Sequence, residues 1–178
     1  SSWARYGCKA VKASCSPDLS RWDVSSVTSM YRMFYQASSF TSDLSAWDVS
    51  SVTSMYHMFF YANGFTSCHK ALIASAWAAS SAFASSYTSW STDTSVCPSP
   101  PPYPPYPPYP PGRAPLPPPP SPPPGTFGNR AELLTAVDAW CTNPASAELQ
   151  YGGSIADWDV SRVTNMGYLF CGYSSSSW

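Results

Sequence analysis

With 178 residues the chain has room for one or two small domains, and only 11% of it is charged, against roughly 25% in an ordinary soluble domain. Its net charge of −1 excludes the electrostatic footprint of a nucleic-acid or anionic-membrane binder. No apolar run approaches the roughly 20 residues of a membrane-spanning helix, so solubility is left to Ser, Thr and attached sugar.

The chain starts without Met and shows no signal peptide, which reads as a mature or excised segment. It has six cysteines, Cys8, Cys15, Cys68, Cys97, Cys141 and Cys171, none in a CxxC pair. The two histidines, His57 and His69, complete no zinc pattern, so no metal site is expected. An even count in a Ser-rich chain of low charge points to disulfides and an oxidising, extracellular compartment.

A repeat follows. Trp22-Asp23-Val24-Ser25-Ser26-Val27-Thr28-Ser29-Met30 recurs unchanged 25 residues later as Trp47 to Met55, and the match continues through Met-Phe, Ala and Phe-Thr-Ser. A third copy starts at Trp158 and runs to Leu169-Phe170. The period falls in the 20–29 residue range of leucine-rich-type repeats. Alternation over 43–49 predicts a short strand, and helical spacing of Met55, Met58, Phe59 and Ala62 predicts a helical turn. One strand and one turn cannot bury their own faces, but stacked copies can. The expected fold is therefore α/β: a short parallel β-solenoid of leucine-rich-type repeats with helical caps. Trp22, Trp47, Trp158, Met30, Met55, Met166, Phe34, Phe59 and Phe170 are the expected repeat core, with an aromatic binding stripe as the alternative. The Asp ladder (Asp23, Asp48, Asp159) reads as Asx turns that accept local backbone N–H groups, with calcium between repeats as the other reading.

Residues 69–87 carry Leu72, Ile73, Ala76, Trp77, Phe83 and Tyr87 and predict an amphipathic capping helix. Cys68 and Cys97 bracket it, and that pairing is expected. Cys141 is expected to pair with Cys171, tying a lead-in helix to its repeat, which leaves Cys8 with Cys15. Residues 98–124 hold 18 of the 20 prolines and predict a polyproline II rod on the order of 80 Å long. Pro-Pro-Tyr recurs three times, so Tyr103, Tyr106 and Tyr109 line one edge of that rod. A bare spacer or a ligand for SH3- or WW-type domains is the plainer reading of such a segment. None of Asn63, Asn129, Asn143 and Asn165 opens a sequon, so any sugar is O-linked. The candidate positions are Ser99, Pro100, Pro101, Pro102, Pro104, Pro105, Pro107, Pro108, Pro110, Pro111, Pro117, Pro118, Pro119, Pro120, Ser121, Pro122, Pro123 and Pro124.

Beyond the rod, Asn129-Arg130-Ala131-Glu132 is a capping-box pattern. It opens a helix with Leu133, Leu134, Val137, Trp140 and Cys141 on one face. Asn143-Pro144 stops that helix and starts the next, which Gly152 and Gly153 end. The resulting division is 1–97 (repeats and C-terminal cap), 98–125 (proline-rich linker) and 126–178 (helical N-cap and first repeat of a second or next module). Ser-Ser-Trp both opens and closes the chain. Joined head to tail, the two halves make one module, so the chain reads as a window of a tandem array or as a subunit completing its neighbour, with 158–171 stacked on 17–34 of the next unit.

The Trp-Asp-Val-Ser-x-Val-Thr-x-Met motif, with Met-Phe, Ala, Phe and then Asp-Leu-Ser, resembles the BspA-like family of leucine-rich-repeat surface proteins over 17–67 and about 126–171. Ala139-Trp140-Cys141, Tyr151-Gly152 and Leu169-Phe170-Cys171 resemble the lead-in of similar proteins of unicellular algae. Ser99-Pro-Pro-Pro and Ser121-Pro-Pro-Pro resemble extensin-type wall glycoproteins, which implies hydroxyproline with attached arabinose. The family resemblance implies surface display and adhesion or assembly without catalysis.

No phosphate loop, HExxH or GxSxG is present. Asp157 and Asp159 share a face merely by alternation. The expectation is a secreted structural glycoprotein of a cell surface or wall, with no enzymatic activity and no cofactor. Its expected partners are copies of itself in a head-to-tail filament and covalently attached O-glycans, and neither nucleic acid nor a membrane span. A surface adhesin on a glycosylated stalk is the alternative.

Overall fold

The computed structural model describes residues 8–97 and 125–172. Five α-helices occur among them: α1 (Ala10–Ala13), α2 (Ser67–Ala76), α3 (Ser81–Ser86), α4 (Arg130–Thr142) and α5 (Pro144–Tyr151). Single 3₁₀ turns cover Thr94–Val96 and Ile155–Asp157.

The β-solenoid expectation is overturned, because the described residues contain no strand and no sheet. The repeats do stack, through turns and isolated parallel bridges of Ser29 to Ser54 and of Ser29 to Asn165. The reason is local. In the segment read as a strand, Ser45 N–H donates to Asp43 Oδ1 at 2.9 Å and Trp47 N–H donates to the Leu44 carbonyl at 3.1 Å. Asp and Ser offer the backbone a nearby partner, and turns win over a ladder.

The helical turn expected after Met55 is also absent. His57 and Tyr61 lie in the left-handed region (φ 55° and 57°), as do Arg32 and Gln36 at the equivalent positions one repeat earlier. An α-helix cannot contain such residues. Instead Met33, Tyr35 and Ala37 close turns within their layer, while Met30, Arg32, Phe34 and Gln36 donate to Ser54, Tyr56, Met58 and Phe60 of the next layer at 2.8–3.1 Å. Every second N–H thus serves the stack and every other one serves the turn, which satisfies the buried backbone.

The stacking order differs from the chain order. The third repeat precedes the first: Met166, Tyr168, Phe170 and Gly172 donate to Ser29, Tyr31, Met33 and Tyr35 at 2.7–3.1 Å. The layers run 158–172, 22–40, 47–65. The register expected between successive units is made here within one chain. Gly172 is required at this seam, since a Cβ there would collide with the Gln36 carbonyl.

Rings form the interior. Phe170, Phe34 and Phe59 stack at 5.5 and 5.7 Å through the three layers. In the second and third layers the repeat indole N–H reaches back one layer, Trp22 to the Ile155 carbonyl (2.7 Å) and Trp47 to the Leu19 carbonyl (2.9 Å). At one end α4 and α5 cover the first layer. Asn129 caps α4 through Ala131 and Glu132 N–H, and Asn143 caps α5 with Pro144 at its first position. At the other end the single helix expected over 69–87 is two. A capping box of Thr66 and His69 starts α2, Ser80 starts α3, and between them Trp77 turns inward onto Trp47.

Cys68 pairs with Cys97, the expected bridge. The other two expected pairs do not form; Cys8 joins Cys171 and Cys15 joins Cys141. Lys9 N–H donates to the Cys171 carbonyl at 3.1 Å, and α1 packs on α4. That packing brings each N-terminal cysteine to a C-terminal partner.

The same contact buries Lys12, whose Nζ lies 2.7 Å from Asp138; Lys9 reaches the same carboxylate at 2.5 Å. Burial lowers the Lys12 pKa to about 8, against the pull of Asp138 and with help from the Lys9 and Arg130 charges. The unfolded chain therefore holds this proton up to about pH 10.5 and the folded chain releases it near 8. Stability rises with pH between those values. The expected gain from this site, read by denaturant unfolding at pH 7.5 and 9.5, is on the order of 2 kcal/mol, and it disappears in Lys12→Met. Tyr87, pushed up to about 12 by burial, opposes the trend only above pH 10.

Candidate functional site

The nine expected core residues all lie inside the stack, so none forms an exposed stripe. The Asp ladder faces outward. Ser25, Ser50 and Ser161 donate backbone N–H to Asp23, Asp48 and Asp159 at 3.0–3.1 Å, and the Ser25 and Ser161 hydroxyls add bonds of 2.7 Å. These bonds hold the Asp48 and Asp159 carboxyls below the usual carboxylate range. The Asx-turn reading accounts for the ladder, and the described residues contain no group of three potential metal ligands. Asp157 pairs with Arg21 at 2.5 Å. The O-glycosylation candidates of 99–124 lie outside the described residues.

A different set of side chains forms a surface feature. After the first Met of each repeat the side chains of Tyr31-Arg32, Tyr56-His57 and Tyr168 lie outside the buried core. Arg32, His57 and Tyr168 are all left-handed, with φ 53°, 55° and 63°. A bulky residue there costs roughly 1–3 kcal/mol each, and the strained turn is what swings the neighbouring rings outward. Tyr168, Tyr31 and Tyr56 form a column with ring centroids 5.4 and 5.7 Å apart, the latter pair stacked at 18°. Tyr35 and Phe60 form a second, stacked at 13° and 5.6 Å.

Between the columns sit two wedges. The Arg32 guanidinium lies 5.2 Å from the Tyr31 ring and 5.1 Å from the Tyr35 ring, a cation–π arrangement. One layer on, His57 lies 3.9 Å from Tyr56 and 4.6 Å from Phe60. Partial burial, with the Arg32 charge beside it, lowers the His57 pKa. The ladder remains open at its cap end, where Tyr56 is 53%, Phe60 39% and Tyr61 59% exposed. There a groove of about 260 Å³ runs between Tyr56, His57 and Phe60 on one side and Ser85, Ser86 and Tyr87 on the other. Tyr87 fixes that wall by accepting from Phe59 N–H and donating to the Met55 carbonyl.

The motif reading missed this ladder because it followed the buried register of each repeat. The available signal was the recurrence of aromatic residues out of that register, at 31, 35, 56, 60 and 168.

Residues 10–96 and 135–176 match the family described as Mycoplasma protein of unknown function, DUF285. The chain belongs to this family. The match supports the resemblance to BspA-like surface repeat proteins in its coarse form. Both matched segments fall on the repeats and their caps, and the ladder lies inside them. No curated protein and no solved structure matches the chain. Three disulfides together with a surface-repeat family mark the chain as secreted or extracellular. No helix among the described residues is long and apolar enough to cross a membrane.

Proposed function

We propose that the chain is a non-catalytic surface protein of the adhesive type, which works by presenting the aromatic ladder from a disulfide-stapled body. One observation carries the reading. Large rings stand exposed at the cap end of the ladder, Tyr56, Phe60 and Tyr61, beside left-handed backbone at His57 and Tyr61, and strain of this kind clusters where a protein binds. The faces that a head-to-tail filament would join are already joined within one chain, which favours adhesion over the filament. The filament retains one route. Exchange of 125–172 between neighbouring copies would make the same contacts between molecules.

Beads coated with the chain should adhere to wall or surface material of the source cells. Tyr56→Ser with Phe60→Ser should abolish adhesion while leaving the melting temperature within a few degrees, since surface changes usually stay within about 0.5 kcal/mol. Equal adhesion of variant and parent would refute the proposal. The proline-rich segment belongs to the same picture as a glycosylated stalk carrying hydroxyproline and O-linked sugar. The intact mass of natively sourced protein should then exceed the sequence mass of 19.3 kDa, and a mass equal to the sequence would remove the stalk glycan.

A further inference from the structure

We infer that a second groove, between the last repeat layer and the α2–α3 cap, binds one neutral sugar ring between the indole N–H of Trp77 and the carboxylate of Asp48. This groove holds about 330 Å³ and is lined by residues of 47–52 from the repeat and of 76–81 from the cap. It shares no lining residue with the groove at the end of the aromatic ladder, and the inference does not depend on the ladder. Its volume stands at the small end of the roughly 300–1,000 Å³ usual for ligand pockets, which suits a single ring and not a chain.

The stack marks Trp77 as lacking a partner. Trp22 and Trp47 each give the indole N–H to the carbonyl three positions before the tryptophan of the layer beneath, Ile155 before Trp158 and Leu19 before Trp22. Trp77 occupies the next level, stacked on Trp47 at 6.4 Å and 16°. The equivalent acceptor there is the Leu44 carbonyl, which takes the Trp47 backbone N–H but no indole among the described residues. Trp77 is 2% exposed, and its Nε1 has no partner in the protein. A buried donor left without an acceptor is disfavoured and calls for a cause. Trp140 and Trp158 share the condition, but of the three Trp77 alone lines this groove.

The rest of the lining selects the chemistry of the acceptor. Asp48 is the only charged residue in it. Its Oδ1 accepts from Ser50 N–H at 3.0 Å, and a carboxylate has further lone pairs to offer. An anion would be repelled by Asp48. A metal ion or an ammonium group would suit Asp48 but has no lone pair for the indole N–H. A hydroxyl answers both, since it donates and accepts. Ser80 Oγ, at the rim, accepts from Phe83 N–H at 3.3 Å and keeps its own proton to donate. Val49 and Val52, both buried, supply an apolar wall. A sugar ring carries hydroxyls on its edge and C–H groups on its face, and so uses both kinds of wall.

Titration of the isotope-labelled full chain with glucose, galactose and arabinose, followed through the indole N–H resonances, tests this. The Trp77 signal, assigned by its loss in Trp77→Phe, should move saturably with at least one of the three, at a Kd of roughly 1 mM. Trp77→Phe keeps a ring and removes the N–H, and Asp48→Asn keeps the turn acceptor and removes the charge. Each should weaken binding about tenfold or more, read in both variants by saturation transfer to the sugar. The remaining indole signals report that the variants are folded. Tyr56→Ser with Phe60→Ser should leave the affinity unchanged. The methyl glycoside of the sugar that binds separates two sources: equal affinity assigns the end of a glycan chain, and loss of binding assigns a free monosaccharide.

A Trp77 signal that stays still with all three sugars up to about 0.1 M, far above a millimolar Kd, overturns the inference, and the groove then holds water only. Binding that survives both Trp77→Phe and Asp48→Asn places the sugar elsewhere and overturns it too. So does loss of binding in the ladder variant, which would move the sugar to the ladder. Glucuronate or N-methylacetamide bound as tightly as the neutral sugar overturns it in favour of an anion or a peptide group.

Discussion

Truncating Phe34 to Ala is expected to cost about 3–5 kcal/mol, a large share of the roughly 5–15 kcal/mol usual for a folded domain. Phe34 is fully buried in the middle layer. Its ring stacks on Phe170 of the layer before (5.5 Å, 13°) and Phe59 of the layer after (5.7 Å, 2°), and it also touches Phe40 at 4.3 Å. Ala at this position opens a cavity that three layers share. The backbone bonds of Phe34 and Phe170 across the seams prevent collapse of any one layer to fill it. Chemical denaturation of the purified variant gives the number, and a loss under 1.5 kcal/mol would mean that the stack relaxes around the hole.

Removing the two N-to-C disulfides together is expected to release residues 125–172. Cys8–Cys171 and Cys15–Cys141 are nested and close sequence separations of 163 and 126. With one of them intact, the other closes only a ring of roughly forty residues, so a single Cys-to-Ser pair should cost about 2–4 kcal/mol. Loss of both leaves the whole span open, and the combined cost approaches the total stability. Limited proteolysis reads the outcome. Within 130–151, which holds α4 and α5, the parent should resist, each single pair should resist nearly as well, and the double pair should be cut rapidly. Resistance of the double pair would show that the layer contacts alone hold the segment.

The repeat register and its core were legible because Trp, Met and Phe recur at fixed spacing and the hydrophobic effect sorts them inward. The caps were legible at Asn129 and Asn143, where a short polar side chain sits just ahead of a helix. Strand and helix within the repeat were not. Alternation at 43–49 serves a run of Asx turns as well as it serves a strand, and only the backbone reveals that His57 and Tyr61 are left-handed. The disulfide partners were hidden for another reason. They follow from the packing of α1 on α4, a contact between segments more than a hundred residues apart, and no local pattern encodes it. The ladder was written in the sequence but overlooked, since burial and exposure alternate at Met55, Tyr56 and Met58 and the conspicuous half of the pattern is the core half.

The layer order carries a consequence for how the protein is made. A ribosome delivers residues 22–65 long before residues 158–172, yet the latter form the layer beneath them. Until residues 158–172 have emerged, the underside of the first repeat, with Phe34 and Trp22 in it, has no cover. The contact that closes it joins residues separated by 136 positions at Ser29 and Asn165, and long-range closure of this kind is slow. Each nascent chain therefore spends its time in the secretory compartment with an open apolar surface, and needs a holdase or fast oxidation of Cys15 to Cys141 to keep from joining its neighbours.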